Sequence, residues 1–211
     1  MTTARIILQS TLKTAVRFTG IGLHSAKPVT LVIHPAAVGS GLQIRRTDVA
    51  AGSQGFSAHW TCVSQSPLCT RLINDEGVSV STIEHVMAAL AGCGVHNALI
   101  ELNGPEAPIL DGSAVPFVQE ILAAGVMAQN VPVTVFKVRK TVEFHGNSGW
   151  ARLAPADTLQ IDFYIDFDDA AIGSQSKKLN LANGAFVREL CDSRTFCRQS
   201  DVDTMRANGL A

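Results

Sequence analysis

Mostly apolar, strand-favouring residues run from Ala15 to Phe18 and again from Val29 to Ile33. Gly20, Gly22 and Ser25 lie between the two runs and Pro35 follows them, which predicts two strands joined as a hairpin. Leu42 to Arg46 reads as a further strand and Asp48 to Gly55 as a turn-rich connection, with short strands continuing to Ile73. The period then changes. In SVSTIEHVMAALAGCG, Ile83, Val86, Met87 and Leu90 fall on one side of a helix, and His85, Ala88 and Ala89 on the other. Ser81 and Glu84 fit the S-x-x-E capping box, and Gly92 or Gly94 supplies the stop. Asn97 to Leu102 returns to strand, Gly104-Pro105 and Pro108 mark a loop, and Asp111-Gly112 marks a turn. A second helix is predicted from Ala114 to Ala124, with Ser113 as N-cap, Phe117, Ile121 and Leu122 as its buried face, and Gly125 as its stop.

Around Gln129 to Pro132 the pattern restarts, with strands predicted at Thr134 to Val138, Thr141 to Phe144 and Ala151 to Leu153, and a short helix from Ala182 to Leu190. This places a boundary between a first α/β domain, 1–128, and a second, partial one, 129–211. PAAVGSGLQI and PADTLQIDF each follow a strand pair, which hints at a duplicated unit, and a true copy would finish with helices of its own.

Composition narrows the function classes. Hydrophobic residues make up 46% of the 211 and charged ones 17%, against a usual charged share of about 25%, so a core of Ala, Val, Leu and Ile is expected and disorder is excluded. Seventeen Lys and Arg against eighteen Asp and Glu give a net charge of -1, too little field for a nucleic-acid binder. The opening MTTARIILQSTLKT lacks the apolar run of a secretory leader. The least polar stretch, Val86 to Leu102, is broken by Gly92, Gly94, His96, Asn97 and Glu101, so no membrane span is expected. Five cysteines without a C-x-x-C pair fit reduced thiols and a cytoplasmic location.

The best candidate chemistry is Glu84-His85, beside the small Ala88 and Ala89, where another element or a ligand could approach closely. Two readings are open from the residues alone. The pair is either a capping glutamate followed by a solvated histidine, or a base followed by a metal ligand. A catalytic zinc usually takes three protein ligands. None of His24, His34, His59, His96 and His145 belongs to an H-E-x-x-H or has Asp or Glu four residues on. No G-x-S-x-G is present, and Gly20 and Gly22 lack the third glycine of a dinucleotide fingerprint.

Six segments in order, GIGLHSAKPVTL, RRTD, LCTRL, STIEHVMAALAGCGVHN, ELNGPEAPILDGSAVPFV and SRTF, resemble the zinc-dependent UDP-3-O-acyl-N-acetylglucosamine deacetylases of lipid A biosynthesis, through nearly the whole chain. The resemblance implies an α+β fold: a two-layer β/α sandwich of a sheet and two helices, followed by an incomplete second copy, the family's two domains packing helix layer against helix layer with the active site between them. It implies that Glu84 is the general base, that His85 is a ligand of Zn2+, and that Thr195 polarises the amide carbonyl or its oxyanion. Phe196, Leu68, Cys69 and His24 would border the substrate, UDP-3-O-acyl-N-acetylglucosamine or a related UDP-sugar, and Asp166 and Phe167 would hold its uridine end. Such a set suits amide hydrolysis, which needs a polarised carbonyl, a proton acceptor and an oxyanion donor.

The sequence departs from the family pattern at three places. Cys197 and Arg198 follow Phe196 where the family often continues with Gly-Phe, Gly149 precedes Trp150 where a Lys is common, and the H-x-x-x-D segment with the other two zinc ligands, together with the second catalytic His, is not reached by Ala211. The expectation is therefore a family member, either the N-terminal portion of the enzyme or a shortened paralogue, with negligible turnover as this chain alone. The rivals are a non-catalytic UDP-sugar-binding or partner-binding paralogue, self-associating or pairing through the second domain, and a gene product with no function of its own.

Overall fold

The computed structural model describes residues 7–52, 54–66, 68–147 and 149–207. The opening MTTARI, to which part of the leader argument applies, and the closing 208–211 lie outside these residues. The chain divides into two compact units, one running to Val133 and resuming at Glu189, the other Thr134–Arg188.

In the first unit the strands are β1 (Leu8–Leu12), β2 (Val16–Ile21), β3 (Pro28–Pro35), β4 (Leu42–Arg46), β5 (Gly55–Ser57), β6 (Val63–Ser64), β7 (Arg71–Ile73) and β8 (Ser79–Val80). Helix α1 (Glu84–Gly92), β9 (Ala98–Leu102), α2 (Val115–Ala124) and β10 (Val126–Pro132) follow. The main sheet has the order β2-β3-β9-β4-β5, with only β4 and β9 parallel. Its inner face is the alternation seen in the sequence: Val16 and Phe18, then Val29, Leu31 and Ile33, then Ala98, Ile100 and Leu102, all buried. Both helices pack on one another, and α2 lies on β2. Phe117 of α2 sits with its ring centroid 4.7 Å from that of Phe18, tilted by 54°. Strands β6, β7 and β8 form a small sheet that leads into α1, and β1 pairs with β10.

The second unit holds two hairpins, β11 (Val142–His145) with β12 (Trp150–Leu153) and β13 (Gln160–Asp166) with β14 (Ser174–Asn180), and then α3 (Ala185–Glu189). Leu179, Ala185 and Phe186 are buried in it. Helix α4 (Gln199–Ala207) belongs with the first unit. The architecture is α+β, with a sheet under two helices in the first unit, as expected. No helix among the described residues is long and apolar enough to cross a membrane.

Several local expectations change. Residues 134–138 form no strand; the strand lies earlier, at β10, where β1 supplies a hydrogen-bonding partner. Strand β10 runs through position 128/129, where the sequence pattern suggested a boundary. Leu122 is 51% exposed and Val118 takes its place beside Phe117 and Ile121, because Leu122 sits a further 100° round the helix from Ile121. In α1, Ala89 is buried and Met87 only partly so.

Candidate active site

The entry to α1 is built by a strained turn. Ser81 forms a parallel bridge with Glu106, its N–H donating to Pro105 O (2.9 Å) and its carbonyl accepting from Ala107 N–H (3.0 Å). Thr82 then takes φ +57°, a left-handed conformation unusual for a β-branched residue. Ile83 becomes the N-cap, without a side-chain cap bond, and Glu84 opens the helix. The capping box therefore does not form, since Ser81 is committed to the bridge. Glu84 instead turns its carboxylate to the loop before β7, where Oε2 accepts the Thr70 N–H at 3.0 Å. The carbonyl of Thr70 accepts from Ile83 N–H in return (3.4 Å). The bland reading of Glu84 as a cap is thus excluded by its partner. His85 is the next residue, partly exposed.

Thr70 brings two further expected residues to this place. Cys69 lies 3.3 Å from Ser66, sulfur to hydroxyl, and Leu68 is 55% exposed. His24 arrives from the β2–β3 loop by way of Glu106, which is 3% exposed. Oε1 of Glu106 accepts from His24 N–H (2.9 Å) and from the Thr82 hydroxyl (2.8 Å), and Oε2 from Ser25 N–H (2.8 Å). Burial alone would raise the Glu106 carboxyl; the bonds from His24, Ser25 and Thr82 overcome it and hold it below the usual carboxylate range. Gly22 is required here, because a Cβ would overlap Ser25 Oγ and the Glu106 carboxyl, whose Cδ would lie 2.8 Å away. The ring Nε2 of His24 is shielded from solvent and meets no partner among the described residues. A donor or acceptor on a bound molecule would complete it.

Thr195 docks on the turn before α2, its N–H donating to Gly112 O at 2.9 Å, and Arg194 lies 3.6 Å from Asp111. Both Thr195 and Phe196 are exposed. The segment reaching that turn runs along the β2–β3 loop, with Ile109 N–H on Ile21 O (3.0 Å). Asp166 and Phe167 lie in the second unit: Asp166 accepts from the Ser174 hydroxyl, and Phe167 N–H donates to Gly173 O (3.1 Å). The structure therefore brings the segment carrying Leu68 and Cys69 and the loop carrying His24 to the entry of α1, where Glu84 and His85 lie, while Thr195 docks on the turn before α2.

Glu106 was not singled out from the sequence. Its signal there was a lone carboxylate in the Gly/Pro-rich stretch NGPEAP, without a cation nearby in the chain.

The other histidines of the first unit are engaged in the scaffold. His34 pairs with Glu101 (2.6 Å) on the outer face of the sheet, His59 bonds Thr61 (2.8 Å), and His96 bonds Ser10 (2.8 Å). No group of three or more His, Cys, Asp and Glu side chains among the described residues could hold a metal ion. A zinc asks for three protein ligands, so the described residues do not by themselves fit one.

Fold and site together define an α+β protein that sets an anchored carboxylate beside an imidazole at the first turn of a helix, with polar loops converging on that turn. Residues 9–211 match the family described as LpxC, UDP-3-O-acyl N-acetylglycosamine deacetylase, and the chain belongs to that family. It is 43% identical over 207 residues to the UDP-3-O-acyl-N-acetylglucosamine deacetylase of Vibrio parahaemolyticus, covering 97% of this chain and 68% of that protein. The proteins of the same name from Shewanella pealeana and Vibrio cholerae are 40% and 41% identical, with 98% and 97% of this chain and 68% of each relative covered.

Proposed function

We propose that this chain carries the base-bearing part of a UDP-3-O-acyl-N-acetylglucosamine deacetylase of lipid A biosynthesis, which hydrolyses an N-acetyl amide and releases acetate. The observation that carries the reading is the Glu84 carboxylate, held through one oxygen by the Thr70 amide and adjoining His85. A base must be fixed in place yet keep an oxygen for the proton it takes. Glu84 takes that role, and Thr195 donates its hydroxyl to the developing oxyanion. Leu68, Cys69, His24 and Phe196 border the substrate, and Asp166 and Phe167, in the second unit, are the residues the family resemblance assigns to the uridine end. His85 is one ligand of the family's zinc. Since it is not joined by two others among the described residues, the 211 residues are assigned negligible turnover alone.

Metal analysis and acetate release on the purified chain test this together. Zinc well below one equivalent and no acetate above the uncatalysed rate are expected. Stoichiometric zinc with steady deacetylation overturns the assignment of negligible turnover.

A second reading, a partner-binding paralogue, is favoured by the apolar side chains on the hairpins, where Phe144 is 71% and Phe163 59% exposed. A monodisperse, stable monomer by light scattering removes it.

A further inference from the structure

A single buried carboxylate stands where the two segments carrying the site cross. Glu106 forms no ion pair among the described residues; four neutral donors, the His24 and Ser25 N–H groups and the Ser25 and Thr82 hydroxyls, meet its charge. Removing an ionised carboxylate from water is costly unless its oxygens are well bonded, and bonds to a charged acceptor are the strong ones. Both oxygens are engaged within the protein, which leaves Glu106 poorly placed as a base or metal ligand.

Thr82 supplies the second observation. It is 2% exposed, β-branched and left-handed at φ +57°, a conformation that persists only where the surroundings impose it. Its hydroxyl is held by Glu106 Oε1 at 2.8 Å. Two residues on, Glu84 begins α1 and meets the Thr70 amide. Were Thr82 to relax, the chain would enter α1 at another angle and Glu84 would lose that amide.

We propose that Glu106 is a positioning residue for the Glu84-His85 pair and for His24: one carboxylate oxygen holds the left-handed Thr82 turn that starts α1 and seats the loop bearing His24. What is positioned rests on the deacetylase reading; the coupling itself is a property of the fold. One consequence is that the two sides of the site cannot move independently. A displacement of the β2–β3 loop pulls on the oxygen that fixes the helix entry.

Amide hydrogen exchange on the labelled chain tests this at Thr70, which bonds Glu84 and not Glu106. In Glu106→Gln, protection at Thr70 is expected to fall about tenfold to a hundredfold, the equivalent of one hydrogen bond to a charged group, while Ile33 in the main sheet holds its value. Glycine takes the left-handed conformation without a holder. Adding Thr82→Gly to Glu106→Gln is therefore expected to bring Thr70 within about threefold of the Thr82→Gly single variant. Unchanged protection at Thr70, a parallel loss at Ile33, or a further loss in the double variant each overturns the proposal. Should Glu106→Gln fail to fold, Thr82→Val, which deletes the hydroxyl and keeps the shape, reads the same coupling: lower protection at Thr70 with Ile33 unchanged is expected, and unchanged protection at Thr70 or a parallel loss at Ile33 overturns the proposal. Exchange at Thr70 does not depend on zinc or turnover, so failure here leaves the deacetylase reading intact, and failure of that reading leaves this result standing.

Discussion

Phe117→Ala is expected to cost about 3–5 kcal/mol of unfolding free energy, the range for deleting a buried aromatic ring. Phe117 is 0% exposed, projects from α2 onto β2, and meets Phe18 in a tilted contact at 4.7 Å. Its loss removes the transfer energy of the ring, leaves a cavity between the layers, and forfeits the aromatic pair. Because α1 packs on α2, the damage reaches the helix that bears Glu84 and His85. Urea unfolding followed by far-ultraviolet circular dichroism measures the change. Leu122→Ala on the same helix is the control: with Leu122 51% exposed, it is expected to cost less than about 1 kcal/mol. Equal losses in the two variants would mean that α2 presents the face the sequence pattern suggested rather than the one described here.

The contrast between Phe117 and Leu122 marks where the sequence is legible. Main-sheet strands show a period of two that survives folding intact, since Val29, Leu31 and Ile33 alternate inward with little else competing for them. Adjacent apolar residues on a helix are harder, because Ile121 and Leu122 differ by 100° and only packing decides which one is buried. Residues 134–138 are strand-favouring in residue type yet form no strand pairing among the described residues, whereas Val126–Pro132 gains β1 from the far end of the chain. A strand exists only with its partner, and the partner is non-local. Helix α4 was not expected because its residues are mostly polar and only Met205 is buried, so there is no apolar stripe to read.

The site divides in the same way. Glu84 and His85 stand next to each other, and a motif can carry them. The role of Ser81 could not be read locally: S-x-x-E is a capping signature by spacing, and it is overridden by the bridge to Glu106 and by the Thr70 amide. Glu106 is invisible to spacing for a further reason. Two of its four donors are main-chain N–H groups more than eighty residues away, and backbone amides leave no mark in a sequence. Only Gly22 records the crossing, as a position where a Cβ would overlap the carboxylate.

Acidification is expected to erase the difference between the wild-type chain and its carboxylate variants. Arg46, 7% exposed, donates Nε to Asp48 Oδ1 (2.8 Å), Nη2 to Oδ2 (2.7 Å) and Nη1 to Ser79 O (2.6 Å). The side-chain bond from Arg46 holds the Asp48 carboxyl below its usual value against the opposing pull of burial. Glu106 is lowered as well, its hydrogen bonds overcoming burial. A carboxyl lowered in the folded state contributes stability above its unfolded value, near pH 4, and loses it as the pH falls through the folded value. At pH 7, Asp48→Asn and Glu106→Gln are each expected to cost about 2 kcal/mol, Asp48 being partly solvent-screened and Arg46 left with the Ser79 carbonyl and one neutral amide oxygen in place of a carboxylate. The sites share no partner, so the double variant loses about the sum. Below about pH 5 the wild-type urea midpoint drops towards that of the variants, whose own acid slopes are shallower, because a protonated carboxyl and an amide both present a neutral group to the same donors. Curves that stay parallel from pH 7 to pH 3 would show that neither carboxylate is held ionised by the fold, and with that the buried charge at the entry to α1 would lose its structural basis.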